Sequence, residues 1–273
     1  MKTIKGIWRF SRVICYTFVC LFQAYTRFKH VDRKEKGRML RYYPTQVLKL
    51  AGVRCSYEGL HECGLTDTPP ACLVLSNHVS WLDIFSLDSQ LPSRFIAKAE
   101  IAKWPIFGLI AQQIGTLFIN RSSKRAILRI NDDIRGALCN CEAVTIFAEG
   151  TTTFGNELLP IKANFIAPVC EIGATVQPVI LSYKNKGKPT KQAAFSGDVT
   201  LFGSLWNVVT MEDAEVVVHF LEPITNTKDL TRHEVAKICE ERMRAKLQEI
   251  WGDEYIANDA NAAEALAKAI ANG

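Results

Sequence analysis

His78 and Asp83 are the residues of this 273-residue chain whose types and spacing most directly suggest chemistry. They lie in Leu73-Val-Leu-Ser-Asn-His-Val-Ser-Trp-Leu-Asp83, where an apolar run stops at a polar corner and restarts with helical character. On one straight helix, residues five apart stand about 140° apart in azimuth, so the two meet only if His78 is still in the turn. There the Asp83 carboxylate would accept from one imidazole nitrogen, fix the tautomer and leave the other nitrogen as a general base. A plainer use is open to the same residues. Ser80 and Asp83 have the Ser-x-x-Asp spacing of a near capping box, which accounts for Asp83 with no chemistry at all.

The pair must be positioned by a strand that hands over to a helix. From Ala71 onward the pattern predicts strands at Ala71–Ser76, Arg94–Ala97, Thr116–Ile119, Ala143–Ala148, Thr175–Ser182 and Glu215–Leu221. Helices are expected near Trp81–Asp88, Pro105–Gln113, Lys124–Cys139 and Glu234–Trp251. Ile127, Ile130, Ile134 and Leu138 recur at helical spacing opposite Arg129, Asp132 and Arg135, and Thr231-x-x-Glu234 reads as a capping box. Strands alternating with helices predict an α/β fold, a mixed, mostly parallel sheet flanked by helices. Open sheets of this kind place reactive groups where strands give way to helices.

Composition narrows the class. Apolar residues make up 48% and charged residues 22%, which excludes both a disordered chain and a polytopic membrane protein. Nine cysteines, scattered and without a Cys-x-x-Cys pair, indicate neither a zinc site nor a disulfide framework and point to a reducing compartment. The net charge of +5 is concentrated by Lys2, Lys5, Arg9, Arg12, Arg27, Lys29, Arg33, Lys34, Lys36, Arg38 and Arg41. These cations bracket the apolar run Val13–Tyr25, which is shorter than the roughly 20 residues a spanning helix needs. With Trp8, Phe10, Tyr16, Tyr25 and Phe28 it suits a helix seated in one leaflet of an anionic membrane. A signal peptide and a first helix packed on the core are the rival readings, although no small-x-small cleavage site follows. Leu40–Val53, with Pro44 near its start and Gly52 near its end, reads as a second short helix completing a hairpin. The expected organisation is an N-terminal membrane-associated helical hairpin over 1–56, an α/β domain over 57–252 whose Tyr57–Pro70 is a connector, and an Ala-rich tail over 253–273.

Three further stretches end apolar runs in small polar residues. Gly115-Thr-Leu-Phe-Ile-Asn-Arg121 sets a guanidinium just beyond a strand, where it would hold a phosphate or simply face solvent. Val144-Thr-Ile-Phe-Ala-Glu-Gly-Thr-Thr-Thr-Phe-Gly155 runs a strand into a loop rich in anion donors, which is equally a tight turn with its threonines on the backbone. Thr175-Val-Gln-Pro-Val-Ile180 carries Pro178 within a strand, suggesting an edge or a bulge beside a pocket.

In order and spacing, Asn-His-x-x-x-x-Asp at 77–83, Gly-x-x-Phe-Ile-x-Arg at 115–121, Glu-Gly-Thr at 149–151 and Val-x-Pro-Val at 176–179 resemble the four blocks of the glycerolipid acyltransferase superfamily. Within it the chain looks like the bacterial 1-acylglycerol-3-phosphate (lysophosphatidate) acyltransferases. The resemblance covers roughly residues 70–222. It implies that His78 takes the proton from a free glycerol hydroxyl while Asp83 orients the imidazole, and that the hydroxyl attacks the thioester of acyl-CoA or acyl carrier protein directly. It further implies substrate contacts at Asn77, Lys98, Gly115, Phe118, Arg121, Glu149, Gly150, Thr151 and Pro178, with Arg121 and the Glu-Gly-Thr loop at the acceptor phosphate. The apolar Trp104–Ala111 run would wall an acyl tunnel, contact the membrane or be an ordinary buried helix. No metal, tightly held cofactor or nucleic-acid partner is expected. The implied enzyme is monotopic or peripheral at the cytoplasmic face of a bacterial inner membrane, with acyl carrier protein as a candidate partner.

One departure concerns the acceptor. Lysophosphatidate enzymes commonly continue Glu-Gly-Thr with Arg, whereas Thr152 and Thr153 follow here. Glu-Gly-Thr-Thr also looks like members acting on lyso-ornithine lipid or on lysophospholipids with headgroups. Two other classes compete. No Gly-x-Ser-x-Gly elbow, dinucleotide fingerprint or phosphate-binding P-loop occurs, which argues against a serine esterase or a nucleotide enzyme. A non-enzymatic membrane-binding domain would leave His78 as an ordinary turn residue.

Overall fold

A computed structural model describes residues 2–59, 71–120 and 124–257 of the chain. Helices α1 (Lys2–Thr26) and α2 (Arg33–Ala51) lead into strand β1 (Val53–Glu58). The body follows as β2 (Cys72–Ser76), α3 (Leu82–Asp88), β3 (Ser93–Lys98), α4 (Phe107–Gln113), β4 (Leu117–Ile119), α5 (Lys124–Cys139) and β5 (Ala143–Phe147). It closes with α6 (Ala167–Ile172), β6 (Thr175–Asn185), β7 (Lys188–Pro189), α7 (Leu201–Val209), β8 (Ala214–Phe220) and α8 (Arg232–Trp251).

The strands form one sheet in the order β1-β8-β6-β2-β5-β3-β4, with β7 folded back on β6. Every step is parallel except β6 with β8, where the direction reverses, and the short β6–β7 hairpin. β2 and β5, Cys-Leu-Val-Leu-Ser and Ala-Val-Thr-Ile-Phe, are buried at every position. Such unbroken apolar runs are what interior parallel strands covered on both faces require. Alternation then divides the core into two layers. Val74, Phe147, Val179 and Leu181 meet α1, α2, α3 and α7, whereas Leu73, Leu75, Ile146 and Ile180 meet α5, α6 and α8.

The predicted body elements recur with small boundary shifts, and α5 has the expected bounds with Ile130, Ile134 and Leu138 buried. Thr231 caps α8 in a reciprocal box with Glu234. Several expectations need correction. α2 begins at Arg33, where Asp32 accepts from the Glu35 N–H at 2.8 Å, so Pro44 lies inside the helix rather than near its start. Gly52 ends it in the left-handed region at φ 76°, as a helix stop should. Tyr57 and Glu58 belong to β1, not to a connector. The strand sits at the sheet edge and is mostly half-exposed, so it lacks a continuous apolar run. α7 is also unforeseen, because Leu-Phe-Gly-Ser-Leu-Trp-Asn-Val-Val is apolar with a glycine inside and has no decisive period.

β6 is interior rather than an edge. Pro178 is tolerated there because it falls in a gap of the β8 ladder, between the Val176–Ile224 bridge and the Val179–Phe220 pair, with its carbonyl accepting from the Leu221 N–H. α1 packs on α2, α4 and α7 and turns Ile4, Ile7, Trp8, Phe18 and Phe22 outward. Among the described residues no helix is long and apolar enough to cross a membrane. The Ala-rich tail expected over 253–273 lies mainly in 258–273, outside the described residues.

Candidate active site

His78 emerges from the end of β2 in a non-helical link, four residues before α3 begins. Its Nδ1 lies 2.7 Å from Asp83 Oδ2. The same oxygen accepts the backbone N–H of Val79 at 2.7 Å and of Ser80 at 2.9 Å. One carboxylate oxygen thus takes the imidazole and the Ser80 N–H of the near capping box, while α3 itself starts at the N-cap Trp81, which makes no side-chain cap bond. Asp83 is fully buried while the His78 side chain keeps 23% of its exposure. With Nδ1 as the donor to Asp83, Nε2 is the basic nitrogen, and it has no protein hydrogen-bond partner among the described residues.

The imidazole lies flat on Phe147, centroids 3.9 Å apart and planes 10° from parallel. Phe147 is the last residue of β5 and pairs with Ser76, so strand register places its ring beneath the turn. On the other side the ring borders an apolar cavity of about 300 Å³. Trp81, at the N-cap of α3, and Ile84 and Phe85 within it contribute side chains spaced as one helical face, and α1, α2, α4, α7, β3 and the segments beside α4 supply most of the rest. Trp104, Phe107, Ile110 and Ala111 from the apolar run singled out in the sequence line it as well.

Glu149 follows β5 and is 5% exposed. Its Oε1 accepts from the His78 N–H at 3.0 Å and its Oε2 from the Leu159 N–H at 2.9 Å. Burial pushes its carboxyl up to about 8, against the opposing pull of those two N–H donors. The geometry gives Glu149 the work of holding the His78 backbone. Gly150 turns the chain at φ 79°, and the Thr153 N–H returns to the His78 carbonyl at 2.8 Å. Thr151 is exposed at the tip, while the Thr152 hydroxyl donates to the Phe195 carbonyl.

The remaining predicted residues are dispersed. Asn77 is fully buried and directs both side-chain groups at Leu181 of β6, donating to its carbonyl at 3.0 Å and accepting from its N–H at 2.7 Å. It fastens β2 to β6. Pro178 pairs with Leu75 inside the sheet, and no part of it lines the cavity. Lys98 is exposed at the end of β3, opposite Ile119, and Phe118 pairs with Ala97. Gly115, at φ 89°, lines a second cavity of about 180 Å³ with Arg33, Arg94 and Glu142, while its neighbour Thr116 reaches the large one. Arg121 lies outside the described residues. Sequence reading did not single out Phe147 or Tyr183, whose hydroxyl donates to Asp83 Oδ1 at 2.5 Å. Strand parity counted from Ser76 and Val179 would have put both on the His78 face.

Comparison with known proteins places the chain in a family. The family model described as Acyltransferase matches residues 62–182. The 1-acyl-sn-glycerol-3-phosphate acyltransferase of Neisseria gonorrhoeae is 39% identical over 178 residues, 65% of this chain and 69% of that protein. A lyso-ornithine lipid O-acyltransferase of Pseudomonas aeruginosa is also 39% identical, over 64% of this chain and 67% of its own length. The crystal structure of the 1-acyl-sn-glycerophosphate (LPA) acyltransferase PlsC from Thermotoga maritima superposes with a TM-score of 0.68 over 92% of this chain and 98% of that one. At 19% identity that match speaks for the fold. The chain belongs to the lysophosphatidate and lysolipid acyltransferase family.

Proposed function

We propose that the protein transfers a fatty acyl group from acyl-CoA or acyl carrier protein to the free glycerol hydroxyl of lysophosphatidate, giving phosphatidate. The observation that carries this reading is the His78–Asp83 contact of 2.7 Å at the rim of an apolar cavity. His78 Nε2 takes the hydroxyl proton as the oxygen forms a bond to the thioester carbonyl carbon. The tetrahedral intermediate collapses with cleavage of the C–S bond, and the thiolate leaves with the proton returned by the imidazolium. No enzyme nucleophile is needed, because a thioester is already activated. Asp83 keeps Nδ1 protonated and balances the imidazolium charge, and the cavity receives the acyl chain. Gly150 and Thr151 remain candidates for the acceptor phosphate together with Arg121.

The outward apolar side chains of α1, flanked by Lys5, Arg12 and Lys29, support a seat on an anionic membrane surface. We place that surface at the cytoplasmic face of the inner membrane, with acyl carrier protein as a further candidate partner.

A second acceptor is favoured by one observation. Thr152 occupies the position where a cation would reinforce a phosphomonoester, and it turns its hydroxyl to the Phe195 carbonyl. The relative from Pseudomonas aeruginosa carries the lyso-ornithine lipid name. Purified enzyme offered lysophosphatidate, lysophosphatidylglycerol, lysophosphatidylethanolamine and lyso-ornithine lipid with one acyl-CoA decides between them. Preferred consumption of lysophosphatidate supports the first reading; if it is ignored, the acceptor assignment is wrong and the chemistry stands on whichever lysolipid is acylated.

A further inference from the structure

β6 outruns the strand beside it. Its parallel pairing with β2 ends where Ser76 meets Val179, yet it continues to Asn185, supported on its far side by β8 from Val179–Phe220 to Asn185–Ala214. The overhang borders the turn that carries His78, and two of its residues grip that turn. Leu181 holds Asn77 through both its backbone groups. Two positions on, and on the same face, Tyr183 donates its phenol O–H to Asp83 Oδ1 at 2.5 Å.

The two oxygens of Asp83 therefore have different duties. Oδ2 takes three N–H donors, from His78, Val79 and Ser80. Oδ2 lies off the Cβ–Cγ axis, so a turn about that bond carries it away from those donors. A donor on the other oxygen adds a second anchored point that resists the same turn. We infer that Tyr183 is a positioning residue of the acyl-transfer site, holding the Asp83 carboxylate in the plane from which Oδ2 meets His78 Nδ1. The assignment rests on the reading of His78 as the general base. Asp83 is fully buried and Tyr183 is 2% exposed, so no solvent stands ready to replace the phenol. Burial beside Asp83 pushes the Tyr183 hydroxyl well above its usual range and keeps it a donor.

The test is Tyr183→Phe in the full chain, assayed in mixed micelles of lysolipid by thiol release from acyl-CoA. The substitution keeps the ring and its packing and removes only the donor. Loss of one hydrogen bond to a charged group predicts a fall in kcat of about 10- to 100-fold, with KM for both substrates held within about twofold. The downfield proton signal of His78 Nδ1–H shifts or broadens in the same variant, which a purely structural role would not produce. Tyr57→Phe, which deletes another phenol contact of 2.8 Å, to Ser89, serves as the control and keeps wild-type kcat. A Tyr183→Phe enzyme with kcat within about threefold of wild type and an unmoved signal overturns the assignment. If that variant does not fold, 3-fluorotyrosine at position 183 strengthens the donor without deleting it. A changed kcat with a shifted signal then supports the role, and unchanged values overturn it. His78→Ala separates the two claims. If it is inactive while Tyr183→Phe matches wild type, the Tyr183 role alone falls; if it retains turnover, the general-base reading falls and takes this one with it.

Discussion

Glu149→Gln separates a carboxyl that holds the His78 backbone from one that contacts the acceptor. Both Glu149 oxygens accept backbone N–H groups, from His78 and Leu159. An amide offers one oxygen, so its NH2 must face one of those N–H donors and leave a buried pair of donors opposed. That arrangement costs about 1–3 kcal/mol of stability. The carboxyl has its own pH dependence, because burial moves it from 4.5 to about 8. A group raised in the folded state contributes stability that is complete below pH 4.5 and is lost as pH rises through 8, at about 1.4 kcal/mol per pH unit between. Gln has no such term. The variant therefore gains stability relative to wild type as pH rises from 5 to 8. Thermal denaturation of both proteins across pH 5–8 measures that gain. Acyl transfer in the same buffers should show kcat lowered about 10- to 100-fold, through displacement of His78, with acceptor KM unchanged. A stability difference that does not vary with pH, or a loss confined to acceptor KM, would refute this reasoning and return Glu149 to the acceptor phosphate.

Other perturbations test separate parts of the account. Phe147→Leu removes the flat surface beneath the imidazole and should lower kcat by about fivefold while acceptor KM holds, the aromatic contact being worth about 1 kcal/mol beyond its buried area; steady-state kinetics read the split. His219, buried between Ser182 and Glu58, has its pKa lowered chiefly by burial, so its neutral form stabilises the fold and that contribution fades as pH falls below 6.5. His219→Gln should flatten the acid side of the melting curve without altering kcat at neutral pH. Trp8 and Phe22 are each 63% exposed on α1. Changing both to Ser should weaken binding to anionic vesicles by about tenfold or more per side chain, leave turnover on micellar substrate intact, and be read by vesicle sedimentation.

How much of this was legible beforehand follows from where each signal sits in the chain. β2, β5 and α5 announce themselves because burial on both faces, or along one helical stripe, writes unbroken or periodic apolar residues into a short window. β1 and α7 do not, since one is a half-exposed edge and the other a short apolar run with no clear period. His78 and Asp83 lie in one turn, and their meeting could be argued from five residues of spacing. Tyr183 is 100 residues from Asp83, and only the register of β6 with β2 brings them together. Asn77 and Glu149 were visible as motif residues but not in their duties, because a side chain's choice of backbone partner depends on strands that no local pattern records.

The central claim is that one imidazole at the end of β2 removes the acceptor's proton. It is tested most directly by His78→Ala, comparing kcat for thiol release from acyl-CoA in the presence of lysophosphatidate or whichever lysolipid wild type consumes, with circular dichroism and vesicle binding measured on the same preparation. The account predicts a loss of about 10²- to 10⁴-fold in turnover with fold and binding unchanged. Turnover within a few-fold of wild type in a folded variant would contradict it.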